Sequence, residues 1–250
     1  MKKNHSNPSL GKEEYYMYGK HAVLAAINNP KRTIKKIYCI DKLLEPVNIA
    51  LKNRNHPIEI EVLNNDAIRK KFRIEATHQG IIALVKSCNE YNIEKLQFTS
   101  EKDRVLILDQ ITDPQNIGTI IRSAAAFGID KIILPKDNSP EENASIAKTA
   151  CGCLELVQIV RITNLNQTIK KLKNLGFWVV GMDTKGTQDF SIIKNIDKIA
   201  IIIGSEDSGM RRLTSEACDY HISIPISNQV ESLNAASAAS IMFFMTSYSV

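Results

Sequence analysis

No apolar run in this chain approaches the roughly 20 residues needed to cross a bilayer. The first twelve residues, Met1–Lys12, are polar and lack the apolar core of a secretory signal. Cysteine is scarce: five residues, an odd number without paired spacing, as suits reduced thiols in a cytoplasmic protein. Cys151 and Cys153 are close, but no second Cys or His pair stands at zinc spacing, so they are read as small buried residues and no metal is expected. Common nucleotide and hydrolase signatures are also missing. No G-x-G-x-x-G follows a strand, and Gly204–Gly209 (GSEDSG) is not followed by Lys-Ser/Thr. There is no H-E-x-x-H or G-x-S-x-G, and the five histidines are scattered.

What is present is an ordinary globular composition, 44% hydrophobic and 24% charged over 250 residues, enough for one large domain or two modest ones. Charge is unevenly spread. Residues 1–99 hold 17 Lys/Arg against 10 Asp/Glu, whereas residues 100–250 hold 15 against 17. A basic front half suits contact with phosphates. A solvated surface explains the same numbers, and charge alone does not decide.

Residues 1–14 read as a flexible tail. From Tyr15 helices and strands alternate: a helix over Gly19–Asn28, strands over Ile34–Ile40 and Ile58–Leu63, a short basic helix over Asn65–Phe72, and an apolar strand over Gly80–Lys86. These make an α/β module over 15–88. Residues 89–100 lose the pattern and read as a linker. A second domain, 101–250, opens with Arg104–Asp109 (RVLILD), apolar enough for a central parallel strand. Alternation then continues through Asn116–Phe127, Lys131–Leu134, Ser145–Cys151, Leu156–Val160, Leu165–Leu175, Phe177–Gly181, Ile199–Gly204, Met210–Cys218, His221–Ile224 and Leu233–Thr246. Such alternation predicts a parallel sheet covered by helices.

Three segments of the second domain exceed what a core requires. Asp113–Gly118 with Arg122 follows the first strand, and Asn116 stands where a polar side chain caps a helix. A capped helix with a surface arginine would account for it alone. Ile201–Gly209 runs a buried strand into two glycines with Glu206 between them, and loops at strand carboxyl ends are where α/β sheets bind ligands. A plain strand-to-helix turn is the alternative. Ile224–Asn234 precedes a small-residue helix that Ser232 or Asn234 could cap. One polar loop means little; three at strand ends suggest one composite site.

Together these segments resemble the three motifs of the SpoU/TrmH group of SPOUT methyltransferases: N116-I-G-x-x-x-R122, G204-S-E206-x-x-G209-M and I224-P-I…V-E-S232-L-N234-A-A. Asp207 stands where the family often has Gly, and Ala235-Ala236 where it often has Val-Ser. Y18-G-K-H21-A-V and T77-H78-Q79-G80-I-I-A resemble the borders of the substrate-binding module of two-domain members, especially those that methylate a guanosine ribose of 23S rRNA. The resemblance implies an α/β fold with a C-terminal trefoil-knotted, parallel-sheet SPOUT domain and a smaller N-terminal α/β RNA-binding domain. It implies a homodimer that transfers methyl from S-adenosylmethionine to a ribose 2′-hydroxyl of structured RNA, rRNA first and tRNA as the alternative. A non-catalytic RNA-binding assembly factor on the same fold is the competing class. Gly204, Ile224 and Leu233 would hold the cofactor, and Asn116, Arg122, Glu206, Ser232 and Asn234 would form the catalytic set.

A ribose hydroxyl is hardly ionised at neutral pH, so the site must align it with the methyl donor and remove a proton. The resemblance gives Arg122 the role of base. A guanidinium stays charged at ordinary pH, so gripping the target phosphate and stabilising a developing alkoxide is the second role open to Arg122. Lys31, Arg32, Lys35, Lys36 and the Arg69–Arg73 cluster are the candidate RNA contacts of the front module.

Overall fold

The computed structural model describes residue 11 and residues 13–247, apart from 55, 75–76, 89–92, 99–100, 185, 187–189 and 194–195. Nearly all of the expected tail therefore lies outside the described residues. The chain divides into two compact units, 1–89 with 142–155, and 90–141 with 156–250.

The first unit carries β1 (Glu14–Tyr18), α1 (Lys20–Asn28), β2 (Ile34–Cys39), α2 (Leu44–Leu51), β3 (Glu59–Val62), α3 (Asn65–Phe72) and β4 (Ile81–Lys86). Its sheet runs β1-β4-β2-β3, with β2 and β3 parallel and the other pairs antiparallel. Neither β1 nor α2 is evident in the sequence pattern. β1 (EYYMY) has no clean alternation and is held by its ladder to β4. α2 carries Pro46 in its first turn, where the missing N–H has no helical acceptor anyway. Tyr38, Ile68 and Ile82 form a core cluster, and Phe72 meets Tyr16 and Tyr38 edge-on at 4.8 and 4.7 Å.

The 142–155 segment brings α5 (Ala144–Thr149) into this unit, where Gly152 lets a turn approach α1 closely. A Cβ on Gly152, at φ 92°, would fall 2.9 Å from the Ala25 Cβ. Beside it Arg32 is 1% exposed. Its guanidinium bonds Glu155 through Nε at 3.0 Å and a terminal nitrogen at 2.6 Å, pairs with Glu142, and donates to the Lys86 carbonyl at 3.0 Å. Burial opposes the Arg32 charge, but the two glutamates outweigh it and hold its pKa above the usual arginine value. Arg32 is thus enclosed in an ion cluster, which removes it from the candidate RNA contacts.

The second unit carries β5 (Asp103–Leu108), α4 (Pro114–Ala126), β6 (Lys131–Pro135), β7 (Gln158–Ile162), α6 (Leu165–Asn174), β8 (Trp178–Met182), β9 (Lys198–Ile203), α7 (Arg212–Glu216), β10 (Tyr220–Ile222) and α8 (Ala235–Ser247). Its six strands are all parallel, in the order β10-β8-β9-β5-β6-β7. The central strands read as continuous apolar runs because both faces are covered: Val105–Leu108 and Ile201–Ile203 are buried throughout. Val105, Ile107, Ala200 and Ile202 pack with Leu165, Ile169 and Leu172 of α6. Trimming one such isoleucine to alanine costs about 2–5 kcal/mol. Within the stretch read as a linker, Leu96 is buried in this core, and Phe98 meets Phe177 at 5.0 Å.

Candidate active site

β5 and β9 are neighbours in register, Leu108 opposite Ile203, so the loops leaving their carboxyl ends start side by side. α4 begins at Pro114, two residues before the expected start, and its cap is Asp113, whose carboxylate accepts from the Gln115 N–H at 2.9 Å. Asn116 is therefore not the cap. Its side chain is released to face the loop that precedes α8.

There Asn234 does two things at once. Its Oδ1 accepts from the Ala236 N–H at 2.9 Å, capping α8. That bond fixes which end of the amide carries the N–H groups. Nδ2 donates to Asn116 Oδ1 at 3.0 Å and to Glu206 Oε2 at 3.2 Å. One residue from each of the three sequence segments thus meets at a single amide. Glu206 and Asn234 are exposed and Asn116, on α4, is half-buried, so a ligand can reach the contact from the loop side.

The Glu206 loop is a tight hairpin. Ser205 and Gly209 exchange main-chain hydrogen bonds at 3.0 and 2.9 Å. Gly204 needs its missing side chain, because a Cβ there would fall 2.3 Å from the Gly209 carbonyl carbon. The hairpin is tied to β5 by a pair that sequence reasoning missed. Asp109, wholly buried at the end of β5, accepts from Arg211 Nε at 2.7 Å and from the Arg211 main-chain N–H at 2.9 Å. The run RVLILD places a carboxylate at a strand end, but its partner lies 102 residues away.

Arg122 is exposed on α4 and, among the described residues, has no hydrogen-bond or ion-pair partner. Ser232 is partly buried in the loop before α8, also without a partner among the described residues. Neither joins the Asn116–Asn234–Glu206 contact. Gly204, Ile224 and Leu233 are partly buried and lie outside the regular elements. Among the described residues their main-chain N–H and C=O groups have no hydrogen-bond partner. Among the described residues no three His, Cys, Asp or Glu side chains gather as a metal site would require.

Residues 103–244 match the SpoU rRNA Methylase family. The chain belongs to that family. Residues 16–91 match a second SpoU-associated family, RNA 2'-O ribose methyltransferase substrate binding. Among SpoU relatives, a 23S rRNA (guanosine-2'-O-)-methyltransferase RlmB of Vibrio parahaemolyticus is 37% identical over 92% of this chain and 94% of its own. The Escherichia coli RlmB is 38% identical over 91% and 96%. A putative TrmH family tRNA/rRNA methyltransferase of Staphylococcus epidermidis is 37% identical over 93% and 94%. In fold, the chain is similar to the SpoU methyltransferase AviRb of Streptomyces viridochromogenes, solved with AdoMet. That match has a TM-score of 0.78 at 20% identity and covers 94% of this chain and 89% of that one. The AdoMet-bound rRNA methyltransferase of Sinorhizobium meliloti gives 0.77 at 23% identity over 94% and 87%. The expected SpoU resemblance and the parallel α/β fold are both borne out.

Proposed function

We propose that this chain transfers a methyl group from S-adenosylmethionine to a ribose 2′-hydroxyl of RNA, in large-subunit rRNA and on a guanosine. The convergence of Asn116, Glu206 and Asn234 on one amide carries the reading, since it turns three strand-end loops into one site. RlmB relatives alike over the whole chain support the rRNA substrate, and AdoMet-bound neighbours of the same fold support the donor. The open main-chain groups of Gly204, Ile224 and Leu233 fit that donor, whose amino acid and adenosine parts offer hydrogen-bonding partners for all of them. Bound there, the donor supplies an activated sulfonium methyl.

The chain's own residues then align the hydroxyl, whose proton leaves to solvent at the exposed loops as the new bond forms. Arg122, a free charge on an exposed helix face, grips the target phosphate and stabilises the alkoxide as it develops. A guanidinium stays charged at ordinary pH, which speaks against Arg122 as the literal proton acceptor. Asn234 and Asn116 hold Glu206 in one orientation, so Glu206 orients groups of the RNA or the donor. Ser232, two residues before Asn234 on the same loop, would hydrogen-bond the same ligands.

The second unit acts as a homodimer whose C-terminal segment is threaded as a trefoil knot. Two observations favour this. Ile241 and Phe244 leave α8 apolar and exposed, at 37% and 44%. The loop after β8 also packs tightly on the end of the neighbouring β10: a Cβ on Gly186 would fall 2.7 Å from the Ile222 carbonyl carbon. No helix among the described residues is long and apolar enough to cross a membrane. We place the enzyme in the cytoplasm, with the ribosome.

The test is the Arg122→Ala chain given S-adenosylmethionine and ribosomal RNA. Methyl transfer should fall at least about a hundredfold while calorimetry still detects cofactor binding. Substantial transfer by this variant overturns the assignment. Mapping 2′-O-methyl sites on total RNA with and without the protein decides the substrate: a site lost from tRNA rather than rRNA replaces the rRNA reading. A wild-type chain that takes up no S-adenosylmethionine is the assembly factor.

A further inference from the structure

The first unit contains a cavity of about 610 Å3 between α3, the end of β2 and the turn before β4. That volume lies within the range of about 300–1,000 Å3 typical of pockets for molecules of nucleotide size. Ile40 and Ile74 give it apolar walls, Arg69 and Arg73 give it charge, and no carboxylate of the described residues lines it.

The two arginines are unusual in their surroundings. Arg69 lies on the last turn of α3 and Arg73 four residues on, just past the helix end, a spacing at which like charges repel. Among the described residues neither has an ion-pair partner, whereas Lys35, Lys36 and Lys71 of the same unit each pair with a glutamate. Arg73 also closes the helix in a left-handed conformation, φ 51°, a position that glycine usually takes. A pair of guanidiniums facing a cavity, with no carboxylate of the described residues paired to it, is a ready site for a phosphate.

The opposite wall is built to present one donor. The Ile81 N–H bonds back to the His78 carbonyl at 3.2 Å, with φ 54° at Gln79 and 77° at Gly80, a type I′ turn. Gln79 is pinned by the Lys20 N–H to its Oε1 at 2.8 Å. His78 is 6% exposed, and its Nδ1 accepts from the Gly80 N–H at 3.0 Å. The proton of the neutral ring is thereby placed on Nε2, which has no partner among the described residues. Burial first, then the nearby charges of Arg69 and Lys148, lower the pKa of His78.

We propose that this cavity is an RNA subsite that takes one unpaired nucleotide, its phosphate on Arg69 and Arg73 and its base between the isoleucine walls and the His78 Nε2–H. An unpaired base is required, because a base inside a duplex cannot enter a concave pocket. The proposal rests on the RNA substrate assigned above and deepens it.

The test is the full-length Arg69→Gln/Arg73→Gln chain. Both residues are exposed, so the fold should stand. Fluorescence anisotropy against a labelled ten-nucleotide single-stranded RNA, and against a blunt duplex of the same length, reads the subsite directly. The variant should lose at least about tenfold in affinity for the single strand and little for the duplex. Its salt dependence should weaken by about 0.7 in log–log slope for each lost phosphate contact. In methylation assays the loss should fall on the KM for RNA. Unchanged affinity, or equal losses on both RNAs, overturns the subsite. Arginine-dependent single-strand binding by a wild-type chain that transfers no methyl would overturn the enzymatic reading and leave the subsite standing.

Discussion

Arg32→Met removes the one charge that makes two buried carboxylates tolerable. The side chains of Glu142 and Glu155 are 11% and 4% exposed. They also hold Tyr15 (2.7 Å to Glu142), the Cys88 N–H (3.1 Å to Glu142) and Asn29 (2.6 Å to Glu155). Methionine fills much of the volume but leaves both carboxylates facing each other without a cation. Breaking a buried pair in this way costs about 3–5 kcal/mol. For a unit of about 100 residues each kcal/mol shifts the melting midpoint by about 4–8 °C, so the first unit should melt roughly 12–40 °C earlier. Because the chain has two units, the readout should be local: hydrogen exchange across residues 142–155 followed through a thermal ramp. Two controls bracket the claim. Removing the exposed Lys171–Glu94 pair should leave the melt unmoved. Adding Glu142→Leu and Glu155→Leu to Arg32→Met should recover much of the loss, because an apolar trio can replace a buried ion cluster. An Arg32→Met chain that melts with the wild type refutes the reasoning, since its carboxylates would then lie in water.

Asn234→Asp should keep the α8 cap and the melting midpoint, yet lose at least about a hundredfold in methyl transfer, because the donor to Asn116 is gone and a carboxylate faces Glu206. Asn234→Ala should lose the cap as well, about 1 kcal/mol by denaturant titration. Cys88 and Cys218 are pushed up to about 12, chiefly by burial. At pH 8 only about one thiol in ten thousand at such sites is ionised, so mass spectrometry should find them alkylated slowly when native and quickly in urea. Gly80→Ala puts a side chain at φ 77° and 2.6 Å from the Ile40 Cδ1, and should cost about 1–3 kcal/mol in a melt. His78 has a lowered folded pKa, so its share of stability is full above about pH 6.5 and is lost as pH falls through the folded value. The acid limb of a stability curve should flatten in His78→Gln.

Much of the second unit was legible because burial on both faces leaves a plain trace. The runs RVLIL and KIAIII are strands within a residue of their expected bounds. The composite site was legible for a related reason: parallel strands release their loops at one edge, so polar residues after successive strands gather there. What failed was whatever depends on a distant partner. Asn116 and Asp113 are both good caps by type, and only the position of Asn234, 118 residues on, shows which one is released. Arg32 sits among basic residues and looks like surface until Glu155, 123 residues later, encloses it. Arg211 carried no signal at all, because nothing local distinguishes it from its exposed neighbour Arg212.

The same distance effect bears on how the two halves divide their work. The expectation of a basic RNA module in front and a methyl-transfer module behind treats residue 88 as a place to cut. Residues 142–155 lie between β6 and β7 in the chain, yet they fold with the first unit, around Arg32 and α1. A truncation after 88 would therefore strip Glu142 and Glu155 of their cation and leave the Gly152 turn without α1. Loss of RNA methylation in such a fragment would report damage to the β6–β7 connection as much as loss of RNA contact. Point changes that spare the ion cluster carry the sharper inference. Arg69 and Arg73 on one side and Arg122 on the other are exposed charges whose removal leaves every buried partner in place, so each can be tied to one step.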